Sequence, residues 1–162
     1  MSAAGEFRPP NKIGEMLVSS RSLAEYRAFF ALTDEHLAGT VLDCPGGAAS
    51  FTAEVSAAGG RVVACDPIYA RPLAELLDRS RNDLRRAYRY QRNHPEEYIW
   101  TFFADSDHYR SSRARSLELF AAHRASDPGC YVSASLPALP FPDRTFDLAL
   151  RDRKSTRLNS SH

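Results

Sequence analysis

The run Thr40-Val-Leu-Asp-Cys-Pro-Gly-Gly-Ala-Ala-Ser50, followed by Arg61-Val-Val-Ala-Cys-Asp66, constrains the fold more than any other part of the chain. An apolar strand enters a glycine turn, a helix follows, and a second strand ends in a carboxylate. That is the layout of a mononucleotide site in an open α/β sheet, with an anionic group near a helix N-terminus and an acid placed to hold a ribose diol.

The rest of the chain sets the frame around this unit. A length of 162 residues with 43% apolar composition suits one modest core and a single domain. No apolar run approaches the roughly 18 residues of a membrane span and the first twenty residues lack a signal-peptide core, so a cytoplasmic protein is expected. Cys44, Cys65 and Cys130 form no Cys-x-x-Cys pair, and reduced thiols rather than a disulfide framework or metal site are expected.

The formal charge is +1, but the last twelve residues carry four basic side chains and one acidic one. Removing them from 21 basic and 20 acidic residues leaves 17 and 19, a net −2 for residues 1–150. The global basic footprint of a nucleic-acid binder disappears with them. Phe146-Asp-Leu-Ala-Leu150 reads as the opening of a buried strand, yet runs straight into a polar segment. Residues 151–162 resemble translated adapter or vector sequence joined to a truncated gene. They are read as a non-native disordered tail behind a partial domain at 1–150.

Apolar spacing predicts one or two helices over 17–32, strand 1 at 40–44, a helix at 48–58 stopped by Gly59-Gly60, and strand 2 at 61–65. A long amphipathic helix begins after Pro72 and is interrupted at Pro95, and Asp105 or Ser106 caps another. Strand 3 is expected at about 130–133 and strand 4 at 146–150. More than sixty residues separate strands 2 and 3, which implies a helical insertion. Right-handed crossovers then give a Rossmann-like open parallel sheet of order 3-2-1-4, with its ligand crevice where the order reverses.

Within that crevice Asp43 can accept turn amides or an ammonium group. Gly46 and Gly47 let the backbone bend and approach a ligand. Asp66, nineteen residues after Gly47, matches its two oxygens to vicinal ribose hydroxyls. Pro67 fixes the next backbone angle and Ile68 can lie against an adenine face. The frame Pro45-x-Gly47-x-x-Ser50 lacks the outer glycines of a dinucleotide fingerprint, and no Gly-Lys-Ser/Thr ending follows. Both features turn the reading away from NAD enzymes and P-loop ATPases.

Three segments together resemble the class I S-adenosylmethionine-dependent methyltransferases: Val41-Leu-Asp-Cys-Pro-Gly-Gly-Ala-Ala, Val62-Val-Ala-Cys-Asp66 and Leu139-Pro-Phe-Pro-Asp-Arg-Thr-Phe-Asp-Leu-Ala-Leu150. The resemblance covers roughly residues 40–150, the N-terminal half to two-thirds of such a domain. It implies S-adenosyl-L-methionine as cofactor, with Asp43 and Gly47 near the methionine moiety and Asp66 at the ribose. From the expected N-terminal helix, Arg21 can pair with the methionine carboxylate and Tyr26 can cover that end. Pro45 and Ala49 replace outer glycines of the family's first motif. Ser135 stands where an acid often binds the adenine amino group, with Leu136 beside it offering a backbone amide.

No catalytic base is named; His94, His108 and Tyr109 fall in the insertion. The acceptor is a small molecule or another methyl acceptor left open, and the fragment alone is expected to be inactive. Two rival readings stand beside methyl transfer. One is a non-catalytic S-adenosylmethionine binder or protein-interaction scaffold. The other is a nucleic-acid module, in which the arginines of the 79–92 helix neutralise phosphates and Tyr88, Tyr90, Tyr98 and Trp100 stack on bases. A solvated helix face with inward aromatics explains the same residues and is preferred.

Overall fold

The computed structural model describes residues 18–151. The N-terminal 1–17 and the tail residues 152–162 lie outside them. The chain runs α1 (Leu23–Phe30), α2 (Asp34–Ala38), β1 (Thr40–Cys44), α3 (Phe51–Ala57), β2 (Arg61–Cys65), α4 (Leu73–Asn93), α5 (Ser106–Ser126), β3 (Tyr131–Val132) and β4 (Leu148–Arg151), with short 3-10 turns at Pro67–Ala70, Pro95–Glu97 and Pro128–Cys130. The four strands form one parallel sheet of order β3-β2-β1-β4. This is the expected Rossmann-like arrangement, with a helical insertion between β2 and β3.

β1 is the central strand and is buried from Val41 to Cys44. Its β-branched and leucine residues suit burial on both faces. Asp43 stands beside Ala64 of β2 and Leu150 of β4. Val41, Val62 and Leu150 pack with Tyr26, Phe51 and Val55, while Ala64 and Tyr131 pack with Leu76, Leu117 and Phe120. The helices of the described residues therefore share one face. Two successive right-handed crossovers in the same direction require this. The other face, Leu42, Cys44 and Cys65, is covered by Leu139, Phe141 and Phe146 from the connection to β4.

Several elements differ from the sequence expectation, and β4 covers Leu148–Arg151 where 146–150 is expected. Helix α1 begins at Leu23 rather than 17, because Ser22 and Glu25 form a reciprocal capping box that starts the helix there. Residues 18–22 instead form a strap over the glycine turn. Helix α3 begins three residues later than expected, since the Ala48 and Ser50 amides donate to the Ser19 and Arg21 carbonyls of the strap at 3.0 and 2.9 Å. β3 is only two residues long, pairing with the last two residues of β2.

The insertion is an antiparallel arm of two 21-residue helices, each about 31 Å long at 1.5 Å per residue. Asp105 caps α5 by accepting the His108 amide at 2.8 Å. Leu76 of α4 with Leu117 and Phe120 of α5 anchor the arm in the core. Beyond them its aromatics stack on one another, with Tyr90 and His94 rings 4.2 Å apart and Tyr98 and Trp100 rings 5.5 Å apart.

The buried acids of the core set an alkaline limit. Burial, then the neighbouring Cys44 and Asp43, pushes the Cys65 thiol up to about 12 from 9.0. Burial, then Asp43 and Asp66, raises the Tyr69 phenol well above 10.0. In the unfolded chain both ionise at their ordinary values, so their contribution to stability is complete below about pH 9 and is lost as pH rises toward the folded values. Thermal melts are expected to shift downward between pH 9 and 11, and less so in Tyr69→Phe. An unchanged melting temperature across that range would contradict this.

Candidate ligand-binding site

The recess of interest lies at the C-terminal ends of β1 and β2. It is lined by Ser19, Arg21, Tyr26, Phe30, Asp43, Pro45, Gly46, Gly47, Ala49 and Asp66. The sequence candidates Arg21, Tyr26, Asp43, Gly46, Gly47 and Asp66 thus meet in one place. Since β2 and β3 extend to one side of β1 and β4 to the other, the recess sits beside the point where strand order reverses, the usual ligand position in open α/β sheets.

Asp66 follows β2, caps the 3-10 turn after it and is only 3% exposed. Its Oδ2 accepts the Gly47 amide at 3.0 Å and its Oδ1 the Ile68 amide at 3.1 Å. Burial raises its pKa above 3.8, and the two backbone amides pull it partly back. Each oxygen has a further lone pair with which to accept a hydroxyl. Asp43, 4% exposed, accepts the Tyr26 hydroxyl at 2.8 Å. Tyr26 is itself held by stacking on Phe51, ring centres 4.4 Å apart.

Two glycines are required by the turn. A Cβ on Gly46 would strike the Tyr69 hydroxyl and lie 2.8 Å from the Ala64 Cβ. Gly47 has φ +55°, and a Cβ there would lie 3.1 Å from the Ser19 carbonyl oxygen. The Tyr69 hydroxyl donates to the Gly47 carbonyl at 2.7 Å, so β2, the turn and the following 3-10 turn form one hydrogen-bonded unit.

The remaining candidates lie outside this lining. Pro67 is exposed and Ile68 packs on the core cluster of Leu76 and Phe120. Ser135 bridges to Ala138. Leu136 is 40% exposed, its backbone hydrogen-bonded with the Cys44 thiol. Both follow β3 at the same sheet edge. His108 accepts the Ala104 amide at 3.0 Å, and His94 Nδ1 lies 3.1 Å from the Tyr90 carbonyl; neither lines the recess. The exposed arginines of α4 face solvent with loose ties to acids, among them Arg81 to Asp78 at 3.9 Å and Arg92 to Asp107 at 4.0 Å.

Ser19 lines the recess without having been marked by the sequence reading. The signal that finds it is the Ser22-x-x-Glu25 capping box, which places the preceding residues outside the helix. The recess has a volume of about 70 Å³, well below the roughly 300 Å³ at which drug-sized ligand pockets begin. A hollow of about 290 Å³ between α1, α2 and α3 lies near Gly59 and Gly60 instead, away from both carboxylates. Among the described residues no group of three His, Cys, Asp or Glu side chains is arranged to hold a metal. No helix among them is long and apolar enough to cross a membrane.

The fold is Rossmann-like. Its parallel order is the one found in class I S-adenosylmethionine-dependent methyltransferases. Compared with protein-family models, curated proteins and solved structures, the chain matches none.

Proposed function

We propose that the protein is the cofactor-binding part of an S-adenosylmethionine-dependent methyltransferase. The observation that carries this reading is the convergence of Asp43 and Asp66, from the ends of adjacent strands, on one recess that also contains Arg21. Asp66 is suited to the two ribose hydroxyls, Asp43 to an ammonium group and Arg21 to a carboxylate. A ligand carrying all three groups is an amino-acid nucleoside.

The polar groups fit that cofactor, whereas the room requires the strap and α1 to move outward. S-adenosylmethionine supplies a methyl group on a sulfonium, already a strong leaving group, so positioning contributes much of the catalysis. The chain's part is to bind and orient: Gly46 and Gly47 allow close approach, Tyr69 fixes the Gly47 carbonyl, and Tyr26 closes the end next to Asp43.

S-adenosylhomocysteine should raise the melting temperature of the protein by several degrees at millimolar concentration, while NAD and ATP should leave it unchanged. A shift of several degrees corresponds to roughly 1 kcal/mol or more of linked binding. Stabilisation by NAD or ATP, with none by S-adenosylhomocysteine, would reject the reading.

A further inference from the structure

We propose that Arg113 is a latch through which the α4–α5 arm holds the roof of the recess shut. The purpose of the latch rests on the cofactor reading; its mechanics do not.

The roof is the strap 18–22 together with α1. Its inner side lies on the glycine turn and the start of α3: Ser19 and Arg21 carbonyls take the Ala48 and Ser50 amides, and the Leu23 amide donates to Glu54 at 2.7 Å. Tyr26 adds its bond to Asp43. These contacts close the recess down to about 70 Å³, so a nucleoside-sized ligand enters only when the roof lifts.

The arm holds the start of the strap from α4, where Ser80 donates to the Val18 carbonyl at 3.0 Å and Asp83 accepts the Val18 amide at 3.2 Å, and it holds the rest of the roof from α5 through one arginine. Arg113 donates from Nε and Nη2 to Glu25 Oε1 at 3.1 and 2.7 Å, and from Nη1 to the Ser19 hydroxyl at 3.3 Å. Its carbonyl accepts the Ser20 hydroxyl at 2.9 Å. The two charged side chains are 13% and 10% exposed, so this pair is shielded from solvent far more than the arm's other ion pairs. The guanidinium also lies 4.8 Å from the centre of the Tyr109 ring, which meets Phe103 edge-to-face and Trp100 at a tilt in the arm's aromatic set.

Arg113 therefore joins two bodies that are 88 residues apart in sequence. The Glu25 oxygen not used by Arg113 accepts the Ser22 amide as the cap of α1, so the same carboxylate starts the roof helix and ties it to the arm. A change in the arm that rotates α5 or pulls Tyr109 outward removes the guanidinium from Glu25 and Ser19 together. Movement of α5 and opening of the roof over Ser19 and Glu25 are coupled through this side chain.

Amide hydrogen exchange on the ligand-free chain tests the latch. In Arg113→Met the amides of Leu23, Ala48 and Ser50 should exchange about tenfold faster than in the wild type, with those of Leu42 and Val63 unchanged. Arg113→Lys, which keeps the charge without the forked geometry, should fall between the two and keeps the test available if the methionine variant does not fold. Equal exchange at the roof amides in a folded variant, or acceleration no greater than at Leu42 and Val63, would overturn the latch. Faster roof exchange in a variant that still takes up no S-adenosylmethionine would support the latch and refute the cofactor reading.

Discussion

Phe51→Ala is expected to destabilise the protein by about 3–5 kcal/mol, the usual range for removing a fully buried aromatic ring. Phe51 is completely buried at the first turn of α3 and sits among Val41, Val62, Val55 and Leu150, so the cavity would open between helix and sheet. It also stacks on Tyr26, whose hydroxyl reaches Asp43. The change therefore loosens the wall of the recess as well as the core. Urea unfolding should show a midpoint lowered by roughly 1.5–2.5 M, given a slope of about 2 kcal/mol per molar. A loss below about 1 kcal/mol would mean that the ring is not packed in this way.

Asp66→Ala should be the most damaging polar change at the site. Two backbone amides, of Gly47 and Ile68, lose their acceptor, and each buried donor left unsatisfied costs about 1–3 kcal/mol. Relief from burying a carboxylate offsets part of this loss. Because burial raises the folded pKa of Asp66 above 3.8, the folded state holds that proton more tightly than the unfolded one. Its linked contribution is complete below the unfolded value and is lost as pH rises through the folded one. The stability gap between wild type and Asp66→Ala should accordingly widen as pH falls from 7 toward 4. Chemical denaturation at several pH values measures the gap; one that narrows on acidification would contradict the assigned burial of Asp66.

Much of this arrangement is legible in local sequence, for identifiable reasons. Strands β1 and β2 occupy the residues that their apolar runs predict, because Gly46-Gly47 and Gly59-Gly60 punctuate them on either side. Gly59, at φ +89°, supplies the left-handed turn that follows α3. The strap is less legible: Val18 belongs to the core and is bound by Asp83 and Ser80 of α4, while the Ser19 and Arg21 carbonyls take amides twenty-nine residues away. The Arg113–Glu25 pair has no local signature, since it depends on how the arm folds back across the strap. Ile68 illustrates the same limit from the other direction. Its position after Asp66 suggests a ligand contact, but in the 3-10 turn from Pro67 to Ala70 it packs against the core cluster that contains Leu76 and Phe120.

Titration calorimetry of S-adenosylmethionine, with Asp43→Asn as the comparison, decides whether the recess beside Asp43 and Asp66 takes that cofactor. The amide oxygen of asparagine can still accept the Tyr26 hydroxyl, so the fold is retained while the charge that would face an ammonium group is removed. Charge-assisted hydrogen bonds contribute about 1.5–3 kcal/mol, which corresponds to roughly a ten- to hundredfold weakening. The prediction is saturable one-to-one binding by the wild type and at least tenfold weaker binding by Asp43→Asn. An absence of binding by the folded wild type, or equal affinity in the two proteins, would contradict it.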